Sequence, residues 1–414
     1  MKNMSRSKKE PVDPPEGGWG WFIVVAVFIW CALTYGPAVA FPVLYQSIVR
    51  EFGVTLGQAT WLTGAFEFGK SCGYLTLPIF TTKFGDRKTA FCLSIFGALS
   101  ICLSSLAGAP EIIYIFTGFV PGFVTGNLSV LSFTVIPRYF VKRRMVALGL
   151  SQTGSGLGTL ALAPLIQILV DFYGWRGALL LLGGLSLNCA VAAALVRPIY
   201  LKSDITADPK KKNPTAEVLC RVVSKPKLWL ASFVLVLVYS GLKGYLSFVI
   251  SFATDVLGTG ELEATFLLSI YSLVTMISRI IFGVIGDWKK VSIIWVIVIT
   301  EFIAGLMIGV AWFIKGYALL AVNCSVMSFF SSVSHTFYVP VVAGIVGERD
   351  LEWGIGIVGF VSSVVGSGAV PLIGFVVDSS GDVKWAFAIS AIFMVIGSLL
   401  NLFLFPPKPD ETAV

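Results

Sequence analysis

Charge is what this chain has least of. Only 13% of its 414 residues are Asp, Glu, Lys or Arg, about half of the roughly 25% that a water-facing surface requires. A soluble globular fold is excluded on that ground. Histidine is nearly missing too: His335 is the single one, which excludes histidine-based metal clusters. The seven cysteines show no paired spacing, and all but Cys220 fall in apolar stretches. They read as small buried hydrophobes, not as a disulfide framework or a metal site. No Walker loop, dinucleotide loop or Ser–His–Asp set occurs, so neither an enzyme nor ATP coupling within the chain is expected, and no resident cofactor. The polar first nineteen residues and the long apolar run after them do not fit a cleavable leader.

What is present is hydrophobic length. Apolar residues make up 56% of the chain, and the mean hydropathy is +0.87. Stretches of the ~20 residues needed to cross a bilayer recur throughout. Spans are expected at 20–46, 60–82, 88–107, 111–137, 144–170 and 175–196, then at 227–255, 263–285, 291–313, 316–346, 352–378 and 383–405. The fold class is therefore an all-α polytopic membrane protein of about twelve transmembrane helices in two six-helix halves. Residues 1–19 form a leading segment, 20–196 and 227–405 the halves, 197–226 a polar linker, and 406–414 a tail.

The net charge of +7 does not point to nucleic acid, because the basic clusters sit between spans, where they report orientation. With a cytoplasmic N-terminus, only Arg50, Arg176, Lys315 and Lys384 fall in loops of the outer side. Lys70, Lys243 and Arg279 fall within spans, and all other Lys and Arg are cytoplasmic. So large a bias puts both termini and the linker inside.

The halves repeat weakly. The second span ends in PIFTTKFGDRK, with Gly85, Asp86 and Arg87 at the turn, and the eighth ends in GVIGDWKK, with Gly283 and Asp287 in the matching place. Glycine permits the tight turn, and the charges can pair across helix ends. Such a repeat suits carriers whose halves rock about a central site. Two further motifs stand out. EGGWGW (Glu16, Gly17, Gly18, Trp19, Gly20, Trp21) enters the first span, and YFVKRRMVALGLSQTGSGLG, with Arg143 and Arg144, opens the fifth. By physics, Glu16 favours a helix N-terminus, the indoles prefer the interface, and the glycines allow close backbone approach. The two arginines read as interfacial anchors.

These motifs resemble those of the monocarboxylate transporter family, within the major facilitator superfamily. WRGALLLLGGLSLNCAVAAALVRPI from Trp175 is similar to that family's sixth span. The resemblance implies a plasma-membrane solute carrier working by alternating access, moving lactate- or pyruvate-like monocarboxylates with a proton. It also permits a single-span glycoprotein partner that escorts the carrier to the surface.

Charges inside spans carry the chemistry, since each costs about 2.5–3.5 kcal/mol at the bilayer centre and must face a cavity or a partner. Arg279 matches the family arginine that holds the substrate carboxylate, and a guanidinium fork suits a carboxylate. The family aspartate four residues earlier is replaced by Thr275, which cannot titrate, and the first-span lysine after Tyr35 is absent. Lys70 or Lys243 can supply the second cation, and Tyr35 a hydrogen bond. Glu67, three residues from Lys70 on one helix face, is a proton-coupling candidate or merely its ion-pair partner. Glu301 is the other proton candidate. The alternatives are a proton-independent facilitator of a zwitterionic or neutral solute, creatine- or amino-acid-like, and a non-transporting membrane sensor.

Overall fold

The computed structural model describes residues 14–39, 41–197, 199, 215–288 and 291–404. Most of the expected leading segment, much of the linker, the tail and the pair Lys289 and Lys290 lie outside the described residues, as does the side chain of His335. All regular structure among the described residues is helical.

Ten helical stretches are long and apolar enough to cross a membrane. One of them, 144–195, would be roughly 78 Å long as a straight helix, more than twice a bilayer's hydrocarbon core. Gly174 breaks it, at φ 68° and ψ 171°, a conformation open to glycine but rarely to other residues. The 24-residue helix Trp61–Phe84 falls outside the ten, since it carries Glu67 and Lys70 within it. With that helix and the break counted, the described residues hold twelve long helices. They are α1 (Trp19–Val39), α2 (Trp61–Phe84), α3 (Asp86–Ser104), α4 (Val120–Tyr139), α5 (144–173) and α6 (175–195), then α7 (Pro226–Ser251), α8 (Glu261–Gly286), α9 (Ile293–Val310), α10 (Tyr317–Ser331 and Ser334–Val346), α11 (Leu351–Ser380) and α12 (Lys384–Leu400).

The first expected span, 20–46, is helical over Trp19–Val39 and again from Phe41, and the residue between them lies outside the described ones. One expected span is interrupted: the tenth breaks between Ser331 and Ser334. The linker, expected to be polar loop, contributes the helix Thr215–Val223, whose Arg221 reaches Asp350 at 2.9 Å.

Helix pairing explains the internal repeat. In the first half α1 packs on α5, α2 on α4, and α3 on α6; in the second α7 packs on α11, α8 on α10, and α9 on α12. The α5–α6 break at Gly174 has its counterpart between α11 and α12 at Gly381, with φ values of 68° and 69°. Two seams join the halves, α2 against α11 and α5 against α8, and each maps onto the other under the same repeat.

The fifth-span glycines act as the sequence suggests, on two faces. Gly154 and Gly158 abut the carbonyls of Phe28 and Ala32 on α1, while Gly149 abuts the carbonyl of Arg279 on α8. Any side chain at these positions would strike backbone. Large apolar residues such as Phe172, Phe313 and Phe375, each more than 70% exposed, cover the outside, which suits a lipid-facing wall.

The entry motif is explained differently from expectation. Glu16 caps no turn of its own helix. Its carboxylate accepts the backbone N–H groups of Val141 and Lys142 at 2.8 and 2.7 Å, so it holds the turn between α4 and α5. The two motifs are one structural unit. Gly20 lies where a Cβ would come within 2.8 Å of the Phe140 ring, and Gly18 has φ 54°, but Gly17 has open space beside it, so close approach does not account for that glycine. Trp19 donates to the Leu195 carbonyl at 2.9 Å, with Arg197 3.5 Å over its ring, and Trp21 packs on Phe140. The indoles tie α1 to the end of α6 and to the α4–α5 turn.

Candidate functional site

A cavity of about 440 Å³ lies between the halves. The charged residues on its wall are Glu67 and Lys70 from α2, Lys243 from α7 and Arg279 from α8, and Tyr35, Tyr74, Tyr239, Tyr271 and Tyr338 supply phenols around them. Both halves therefore build it, and its charges sit on three of the long helices, where each needs a cavity or a partner.

The charges fall into two centres. At the α2–α11 seam, Glu67 is shared: Lys70 stands 2.7 Å from its carboxylate, Lys243 of the other half 3.4 Å away, and Ser363 of α11 donates to it at 3.4 Å. One carboxylate thus joins two ammonium groups across the seam. At the α5–α8 seam, Arg279 is 9% exposed. Its Nη1 donates to the Gln152 carbonyl at 2.5 Å and to Ser155 Oγ at 2.7 Å, and its Nε is buried without a partner. No carboxylate pairs with Arg279 among the described residues. A guanidinium half-satisfied by neutral oxygens and facing a cavity is prepared to take an anion.

Polar contacts between the halves gather on one face, the one carrying the α2–α3, α4–α5, α8–α9 and α10–α11 turns. Glu352, at the start of α11, accepts from Thr81 Oγ1 at 2.7 Å and Arg138 at 3.3 Å, and Arg138 also pairs with Asp86 at 2.6 Å. Arg144 meets Glu348 at 2.7 Å. Asp287 accepts the N–H groups of Met145 and Val146 at 2.8 and 3.0 Å, at the N-terminus of α5. Burial pushes the Asp287 carboxyl above its usual range, and those two bonds oppose the shift. On the opposite face, the Glu51–Arg176 pair at 2.5 Å and the Tyr317 bond to the Glu263 carbonyl at 2.7 Å each stay within one half. The cavity is latched at one end only by such contacts among the described residues.

A family model described as "Major Facilitator Superfamily" matches residues 22–322. The chain belongs to the major facilitator superfamily. Among curated relatives it is similar to monocarboxylate transporter 13 of Bos taurus, 29% identical over 390 residues, covering 93% of this chain and 89% of that one. It is likewise similar to monocarboxylate transporter 4 of Gallus gallus, 29% identical over 417 residues and covering 97% and 86%. The resemblance carried by the entry and fifth-span motifs is borne out. The fold matches that of the superfamily transporter FucP in an outward conformation (TM-score 0.75, 19% identity, 94% of this chain and 99% of that one). The proton:xylose symporter XylE gives a TM-score of 0.77 at 13% identity, covering 94% and 96%. As a superfamily member the protein is a membrane transporter and not an enzyme.

Of the site residues expected from sequence, Arg279, Lys70, Lys243, Tyr35, Thr275 and Glu67 all line this one cavity. Tyr35 bonds Ser129 Oγ at 2.8 Å. Lys70 and Lys243, weighed as alternatives, meet on the same carboxylate. Glu301 does not line the cavity. It is fully buried on α9, where Ser334 and Asn401 each donate to it at 2.6 Å, so it is no solvated end charge. Arg143 acts on the Asp287 carboxylate through its positive charge, which favours the ionised form, and Arg87 is exposed at its turn. Sequence reasoning missed Gln152 and Ser155, although both lie inside the quoted SQTGSG stretch, and Glu352, whose role depends on a neighbour more than 200 residues away.

The Glu67–Lys70 pair is expected to behave as a unit. Removing one member of an enclosed ion pair strands the other charge, whereas removing both does not. Glu67→Met, which strands both lysines, should lower the melting temperature of the purified protein more than Glu67→Met/Lys70→Met does, with a coupling of about 1–2 kcal/mol in a double-mutant cycle. Additive single effects would remove the pair as a stabilising element.

Proposed function

We propose that this transporter carries small organic carboxylates, of the lactate and pyruvate class, by alternating access to the cavity between its halves. The observation that supports this most is Arg279: an enclosed guanidinium on the cavity wall with no carboxylate paired to it among the described residues. A carboxylate-bearing solute supplies that partner and is held by two parallel hydrogen bonds. The curated relatives named monocarboxylate transporters support the same class. In proteoliposomes, Arg279→Ala is expected to lower uptake of radiolabelled lactate and pyruvate at least 100-fold, with size-exclusion profiles unchanged. Uptake within a factor of two of the parent protein would remove Arg279 from the solute site.

Proton coupling is part of the proposal, and Glu301 is its seat. Glu67 is engaged by two lysines, which favours a permanently ionised carboxylate. Among the described residues the donors to Glu301 are neutral, Ser334 and Asn401, and Asn401 in turn accepts from Tyr338, a cavity-wall phenol, at 2.6 Å. A carboxyl held by neutral groups can exchange a proton without breaking an ion pair, which supports Glu301 over Glu67 as the coupling group. Glu301→Gln preserves the hydrogen bonds and cannot release a proton. It is expected to abolish stimulation by an inward proton gradient while leaving solute exchange intact. Normal gradient stimulation in this variant would exclude Glu301. A parent protein whose flux ignores the gradient would favour the second reading, a proton-independent facilitator, for which Thr275 in place of a titratable residue speaks.

We further propose a plasma-membrane location with both termini cytoplasmic, on the strength of the basic residues concentrated on the terminal face. The same face then holds the latch formed by Glu352, Glu348 and Asp287, so the described conformation is closed toward the cytoplasm. A single-span glycoprotein partner at the cell surface belongs to the same proposal.

A further inference from the structure

The cavity's charges do not balance for a monocarboxylate. Three cations, Lys70, Lys243 and Arg279, line it against one carboxylate, Glu67. The empty cavity therefore carries two net positive charges among its described residues. When the loaded cavity is closed on both sides within the membrane, its charge must be nearly cancelled, since each uncompensated charge in a low-dielectric surrounding is expensive. A monoanion leaves one positive charge over. A dianion leaves none.

The placement of the cations adds a geometric argument. Arg279 belongs to the α5–α8 seam, anchored on Gln152 and Ser155. The two lysines belong to the other seam, where they share Glu67 next to Ser363 of α11. The two positive centres thus stand on the two separate lines of contact between the halves. A solute with one anionic group can engage one seam. A solute with two, joined by a short chain, can engage both at once and so report its presence to the whole interface.

Resting on the carboxylate-carrier reading above, we infer that the preferred solute is a short dicarboxylate dianion, with one carboxylate on the Arg279 fork and the other on the Lys70–Lys243 pair. Lys243, whose side chain is 37% exposed, is the adjustable cation. It serves the second carboxylate at the cost of its long 3.4 Å contact to Glu67.

Paired uptake of radiolabelled succinate and lactate into proteoliposomes at pH 7.5, where succinate is a dianion, tests this. The apparent KM for succinate is expected to be about tenfold below that for lactate, as one added charge-assisted contact implies. Lys243→Met should bring the two KM values together by raising that of succinate, and Lys243→Arg should keep them apart. Size-exclusion chromatography checks that each variant is folded. Should a variant not fold, the succinate-to-lactate ratio in the parent protein decides alone. Lactate uptake with a KM equal to or below that of succinate overturns this inference and leaves the carboxylate-carrier reading standing. Uptake of neither acid overturns both.

Discussion

A positive charge inside a bilayer needs a partner, and this protein is arranged around that need. Among the described residues three cations line its cavity, and one carboxylate on the same wall answers them. Glu67 meets two of the three and does so across the boundary between the halves, with Lys70 from its own helix and Lys243 from the other half. Arg279 is left to backbone and hydroxyl oxygens of α5. The resulting deficit of negative charge defines what the cavity can hold. The surrounding phenols, which offer hydrogen bonds without charge, can adapt to a solute but cannot balance it.

The helices that carry these charges are held to close tolerances by glycine. Gly149 lets α5 approach the backbone of Arg279 itself, and Gly69, Gly73, Gly122 and Gly126 let α2 and α4 meet backbone to backbone beside Glu67 and Lys70. Packing of this kind substitutes for the hydrophobic effect, which gives little within lipid. It makes each half stiff. In the proposed mechanism motion is concentrated at the seams, where the contacts are polar and separable: Glu352 on Thr81 and Arg138, Arg144 on Glu348, and Asp287 on the N-terminus of α5. Stiff halves with a polar latch on one face are what alternating access requires.

Much of this was legible in the sequence, because the bilayer imposes a strong signal. The low charge content, the apolar lengths and the two GD turns fixed the helix pattern and pointed to a repeat, which the pairing of α1–α5, α2–α4 and α3–α6 with α7–α11, α8–α10 and α9–α12 explains. The cost of intramembrane charge also singled out Arg279, Lys70, Lys243 and Glu67, and all four reach one cavity. Partnership was not legible. Glu16 closing the α4–α5 turn, Lys243 joining Glu67, and Asn401 capping Glu301 each depend on contacts of 100 residues or more in separation. No local period encodes them. Nor could composition distinguish Glu67, with cationic partners, from Glu301, with neutral ones among the described residues, and the proposed proton site rests on that difference.

The central claim is that the halves move as bodies about the cavity and that the Glu352 latch closes one face. Double electron–electron resonance between spin labels at Arg87 and Arg349 tests it most directly. Both positions are exposed, one on each half at the latched face, and Cys92 and Cys220, also exposed, would first be replaced. The account predicts a single short distance in the parent protein and a second, longer population when Glu352→Gln weakens the latch. A distance distribution that stays the same in the variant, with and without carboxylate solute, would contradict it.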